Sequence, residues 1–106
     1  METKVKNGQS AAKQIERRPI RGWEGLYEIT ENGQVFSLKR GIYLKPRLSM
    51  DGYRRVCLCN NKIRREYRIA RLVAETFIEN SENKPQINHK DYNRQNDSVE
   101  NLEWTT

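Results

Sequence analysis

Apolar and polar residues alternate through the middle of this chain, and the helical period shows clearly in one stretch. Leu26 to Thr30 and Gln34 to Leu38 read as short β-type runs around Asn32-Gly33. Asn-Gly accepts positive φ at both positions, so this dipeptide predicts a tight hairpin. A third strand is expected over Ile42 to Lys45, with Pro46 at an edge because it has no amide hydrogen for a ladder. Asp51-Gly52 opens a second ribbon, in which Tyr53, Arg55, Cys57 and Cys59 alternate with Arg54, Val56 and Leu58 before Asn60-Asn61 turns into Ile63 to Arg68. The arginines are expected to line one face of this ribbon, since residues two apart on a strand point the same way. Ile69, Leu72, Val73, Thr76 and Phe77 then fall at helical spacing and predict an amphipathic helix from Ile69 to Ile78 with its stripe in the core.

The ends of the chain are more polar. Residues 1–18 read as an arm, in which Ser10 to Arg18 can form a short helix capped by Ser10 and stopped by Pro19. Glu79 to Pro85 reads as a linker and Gln86 to His89 as a short strand. Lys90 to Asn96 reads as a loop, because Asn and Asp side chains bond to nearby backbone in preference to ladders. Asp97 or Ser98 is placed to cap one helical turn before a returning strand over Leu102 to Thr105. The expected fold class is α+β: a small antiparallel β module over residues 19–50, then a β-ribbon, a short helix and a hairpin over residues 51–106. Trp23, Tyr27 and Phe36 are expected to pack on one another within the first module.

Length and composition narrow this further. With 106 residues, 35% of them apolar, the chain supports one small core or two smaller ones, and two minimal modules in series fit best. No run approaches the length of a membrane span and the start has no apolar signal segment, so the expected location is the cytoplasm of a host cell. Cys57 and Cys59 share a strand face, so their sulfurs do not meet in a disulfide. With His89 they would make three zinc ligands, but the paired spacing of structural zinc motifs is missing.

The net charge of +6 is concentrated in one stretch. Residues 39–71 hold Lys39, Arg40, Lys45, Arg47, Arg54, Arg55, Lys62, Arg64, Arg65, Arg68 and Arg71 against Asp51 and Glu66. Such a run marks a polyanion binder, because each neutralised phosphate releases condensed counterions. Duplex DNA is the expected partner. The last third is net acidic and would repel DNA unless a cation sat there. It also contains the sole histidine, His89, among Asn88, Asp91, Asn93, Asn96 and Asp97. A lone imidazole near hard oxygen donors suits metal-assisted phosphodiester hydrolysis, with His89 as base. Asn88 and Asp91 are candidate ligands for Mg2+ or Mn2+. Asn101, from the opposing strand, can orient the ring or simply tie the loop.

Arg68-Ile69-Ala70-Arg71-Leu72-Val73-Ala74-Glu75-Thr76-Phe77, then Asn88-His89-Lys90-Asp91 and Asn101-Leu102-Glu103-Trp104, resemble the HNH endonucleases of phages and mobile introns. Trp23-Glu24-Gly25-Leu26-Tyr27-Glu28 with Asn32-Gly33-Gln34-Val35-Phe36-Ser37-Leu38 resembles the small DNA-binding module that commonly precedes that nuclease unit. The resemblance implies a ββα-metal nuclease in which His89 is the general base and Asn101 the central asparagine. Asn88 stands where some members have a metal-binding aspartate, and Ala70 where many have a histidine. The sequence ends at Thr106, so the resemblance implies a ββα-metal unit lacking its final helix and a divalent cation held weakly or not at all. The function expected is DNA endonuclease activity of the HNH type. The rival readings are a truncated, non-cleaving phage protein that binds DNA or inhibits a host nucleoprotein such as a defence nuclease, and a small RNA-binding protein.

Overall fold

The structure, a computed structural model, describes residues 16–106. The first strand, β1 (Arg17–Pro19), pairs antiparallel with β2 (Tyr27–Thr30), which pairs with β3 (Val35–Ser37) and then β4 (Ile42–Tyr43). Arg17 and Arg18 are thus sheet residues and not the end of a helical arm; the remainder of the expected Ser10 to Arg18 helix, residues 10–15, lies outside the described residues. Proline is tolerated in β1 because this is an edge strand.

The hairpin around Asn32-Gly33 forms as expected, with a different turn. Only Gly33 takes a positive φ, of 84°, and its amide donates to the Thr30 carbonyl at 3.1 Å. This is the turn-plus-left-handed-glycine geometry of a longer hairpin loop. The third strand is shorter than expected, ending at Tyr43, and the chain then starts a second sheet with β5 (Arg47–Leu48).

In that sheet β5 pairs with β6 (Arg54–Asn60), which pairs with β7 (Ile63–Arg68). Helix α1 (Ile69–Phe77) follows without a loop, one residue shorter than expected. A two-stranded hairpin, β8 (Gln86–His89) and β9 (Leu102–Thr105), closes the chain, with one 3-10 turn at Val99–Asn101 before β9.

One apolar cluster holds these pieces together. Ile29 and Val35 of the first sheet, with Ile20 and Trp23 from the segment between β1 and β2, pack with Val56 and Leu58 of β6, with Ile69, Leu72 and Val73 of α1, and with Leu102 of β9. Trp23 therefore packs well beyond its own module. It lies edge-on to Tyr27 at 5.8 Å and to Tyr67 at 6.3 Å, and its indole Nε1 donates to Tyr67 Oη at 2.9 Å. Tyr27 Oη in turn bonds the backbone of Cys59. Phe36 packs against Tyr43 and under the Arg17 guanidinium, 3.8 Å from its ring. No helix among the described residues is long and apolar enough to cross a membrane.

Candidate active site

His89 is the last residue of β8, opposite Leu102, and strand alternation turns its ring toward the molecule while Asn88 faces outward. The ring is 6% exposed. Its Nε2 lies 2.8 Å from Asp97 Oδ1, a carboxylate whose side chain is 1% exposed. The ring centroid is 5.8 Å from that of Tyr53. His89 also lines a cavity of about 300 Å³ with Arg68, Ala70 and Arg71, bounded by Tyr53 and residues 85–87. His89 thus has a carboxylate against its ring and lines a space shared with two arginines.

The loop from Lys90 to Asn101 is tied together by Asn101. Its Nδ2 donates to Asp91 Oδ1 and to the Asn96 carbonyl, both at 2.9 Å, and its Oδ1 accepts from the Asp91 amide at 3.1 Å. The Lys90 amide donates to the Asn101 carbonyl at 2.8 Å. Asn101 is therefore the tie of the loop, and among the described residues it makes no side-chain bond to His89; the ring is oriented by Asp97 instead. Asp91 also accepts from the Asn93 amide and from Asn96 Nδ2. The Asn96 side chain, then the Asn93 amide, hold its carboxyl below the usual carboxylate range despite some desolvation.

The expected metal ligands also take part in hydrogen bonds. Asn88 Nδ2 donates to Glu103 Oε2 at 2.8 Å on the outer face of the hairpin, while both carboxylate oxygens of Asp91 are engaged within the loop. No group of three or more His, Cys, Asp or Glu side chains among the described residues could hold a metal ion. Asn88 Oδ1 takes no part in the Glu103 bond and, among the described residues, Asp91 Oδ2 accepts only from Asn96, so both keep acceptor capacity for a cation.

The residue that sequence reasoning placed only as a cap is Asp97. Ser98, not Asp97, precedes the 3-10 turn, and its side chain makes no cap bond. Burial pushes the Asp97 carboxyl up, against the opposing effects of the His89 hydrogen bond and the nearby Arg54 charge. Arg54 Nη1 is 3.5 Å from Asp97 Oδ2, which is buried and accepts no hydrogen bond among the described residues. Arg54 also reaches the carbonyls of Gln95 and Gly33, each at 3.4 Å. No spacing rule pairs residues 89 and 97, because a folded loop brings them together. The one signal in the sequence is a carboxylate closing an amide-rich loop that begins at the only histidine.

The other basic residues do not share one face. Arg54 lies on the Val56 and Leu58 side of β6 and points inward, and Arg65 faces the same side opposite Leu58. Arg55, Arg64 and Arg68 lie on the outer side, and Arg47 pairs beside Arg55. A concavity of about 610 Å³ is lined by Arg40, Lys45, Arg47, Arg55 and Arg64. Lys39 and Arg40 border a second hollow beside Cys59 and Asn60, Lys62 is exposed at the turn of the ribbon and Arg65 is exposed on β7. Several of these cations have partners: Arg47 with Glu66, Arg55 and Arg68 with Asp51, and Arg71 with Glu75. Asp51 sits well below the usual carboxylate range, through the Ser49 hydroxyl first and then the Tyr53 amide and Arg55.

Residues 16–59 match the NUMOD4 motif. The chain is 48% identical over 80 residues to an uncharacterized HNH endonuclease, L245, of Acanthamoeba polyphaga mimivirus; this covers 76% of the chain and 24% of that protein. It is 37% identical over 92 residues to DNA endonuclease I-HmuI of Bacillus phage SP01, covering 87% of the chain and 53% of that protein. The solved structure described as "DNA binding and cleavage by the HNH homing endonuclease I-HmuI" superposes with a TM-score of 0.82 at 37% identity, over 87% of this chain and 53% of that one. The chain spans about half of I-HmuI and about a quarter of L245.

Proposed function

From the premise that this chain is related to the HNH homing endonucleases, we propose that it docks on duplex DNA through its basic concave surface and presents His89 as the base of phosphodiester hydrolysis. The observation that carries this reading is the position of His89 on the wall of the cavity that also contains Arg68 and Arg71. A phosphate entering there would meet two guanidiniums, which suit its geometry. Arg40, Lys45 and Arg64 would follow the neighbouring backbone, contacts that set register without reading sequence.

His89 would take a proton from water as the water oxygen attacks phosphorus, with Asp97 orienting the ring and balancing the imidazolium that forms. Charge on the leaving oxygen still has to be stabilised. In HNH endonucleases a divalent cation supplies this; Mg2+ or Mn2+ is the proposed class, and Asn88 and Asp91 are the residues that would hold it.

Nicking of supercoiled plasmid in Mg2+ or Mn2+, run beside a binding assay, tests the reading. The chain and His89→Ala are expected to bind DNA with the same salt dependence, and only the chain with His89 is expected to nick. Equal nicking by both would remove the base assignment. Failure of the unaltered chain to retain duplex DNA at low salt would remove the docking surface.

A further inference from the structure

We propose that Asp97 is the positioning residue that fixes neutral His89 with its proton on Nε2, so that Nδ1 is the nitrogen that accepts the proton from water. This deepens the proposed function and rests on His89 being the base. An ionised carboxylate can only accept a hydrogen bond, so the 2.8 Å contact between Nε2 and Asp97 Oδ1 requires Nε2 to donate. A neutral imidazole has one N–H, which leaves the lone pair on Nδ1. Among the described residues Nδ1 has no hydrogen-bond partner, and the only buried side-chain nitrogen or oxygen without one is Asp97 Oδ2. Nδ1 is therefore not sealed in the core, and His89 is one of the residues that line the arginine-bordered cavity.

Three further contacts surround Asp97. Gly33, in the first hairpin turn, lies so close that an added Cβ would be 3.2 Å from Asp97 Cβ. The Val99 amide donates to the Glu31 carbonyl of the same turn at 2.8 Å. Arg54 places its charge 3.5 Å from Oδ2. The N-terminal sheet thus buttresses the partner of the histidine as well as adding basic surface. Arg54 also gives Asp97→Asn a defined outcome. The new amide would turn its oxygen to the guanidinium and its NH2 to His89, making Nε2 an acceptor and moving the ring proton to Nδ1.

Because the chain has one histidine, the experiment is a one- and two-bond 15N–1H correlation of a single imidazole. It is recorded on the alkaline side, where the shifts no longer change with pH, and it needs neither metal nor substrate. Expected are the Nε2–H tautomer in the unaltered chain and the Nδ1–H tautomer in Asp97→Asn. An Nδ1–H tautomer in the unaltered chain, or Nε2–H retained in a folded Asp97→Asn, would overturn the assignment of Asp97. If Asp97→Asn does not fold, the unaltered spectrum decides alone. Neither result depends on nicking, so loss of the base reading through His89→Ala is a separate outcome.

Discussion

At the scale of single residues, the loop beside His89 is held by aspartates with opposite responses to pH. Asp91 sits below the usual carboxylate range because Asn96 and the Asn93 amide donate to it. In the unfolded chain it titrates near the ordinary value, roughly 3.9. Its contribution to stability is therefore present above that pH and is lost as pH falls through the lower folded value. Asp97 runs the other way. Burial raises it, so the folded state loses stability as pH climbs from the ordinary value through the raised one. Denaturant midpoints between pH 2 and 6 check the first sign: Asp91→Asn is expected to be less stable near neutrality and to fall less steeply below about pH 4 than the unaltered chain. An identical acid limb in both would show that Asp91 is not the titrating tie. Asn101, donating twice and accepting once in the same loop, ties the loop without a side-chain hydrogen bond to His89 among the described residues.

At the scale of elements, the first hairpin turn carries more than its own two strands. Gly33 has φ 84° and stands 3.2 Å, measured from a built Cβ, from both Asp97 Cβ and Ile69 Cγ2. A side chain there meets the left-handed penalty and a close contact in one place, and neither neighbour is a flexible tip. Gly33→Ala is expected to cost about 1–3 kcal/mol in thermal or urea unfolding and to shift the His89 imidazole resonances. Gly25→Ala serves as the control. It shares a positive φ, with nothing within 4 Å of the built Cβ, and is expected to lose stability without moving those resonances. The ribbon shows a similar dependence on neighbours. Alternation placed Arg54 and Arg55 on opposite faces, and packing then made one a core-side anchor for Asp97 and the other a partner of Asp51.

At the scale of the whole molecule, the charge excess of residues 39–71 divides into cations already satisfied and cations left over. Among the described residues, no carboxylate lies within ion-pair distance of Lys45 or Arg64, whereas Arg54 faces buried Asp97. Lys45→Ala and Arg64→Ala are each expected to reduce the slope of log affinity for DNA against log salt by about 0.9 with little change in stability. Arg54→Ala is expected to leave that slope unchanged and to cost about 2 kcal/mol, part of the penalty for stranding a buried charge, since Arg54 is itself partly exposed. A salt titration of binding beside an unfolding curve separates the two groups. A flatter slope in Arg54→Ala would return it to the DNA-facing set.

The sequence alone determined the α+β class, both hairpins, the helix and the strand ending at His89. These follow from short-range causes: period-two and helical spacing, turn residues at Asn32-Gly33 and Asn60-Asn61, and amides that prefer loops to ladders. It also determined the concentration of positive charge and the HNH resemblance. Only the tertiary structure decided that Trp23 joins a shared core, that Arg54 turns inward, that Asn88 faces away from His89, and that Asp97 becomes the histidine's partner. Each of these depends on contacts between residues distant in the chain, or on which face of a strand is covered. Local pattern does not encode that choice, because the covering surface comes from another element.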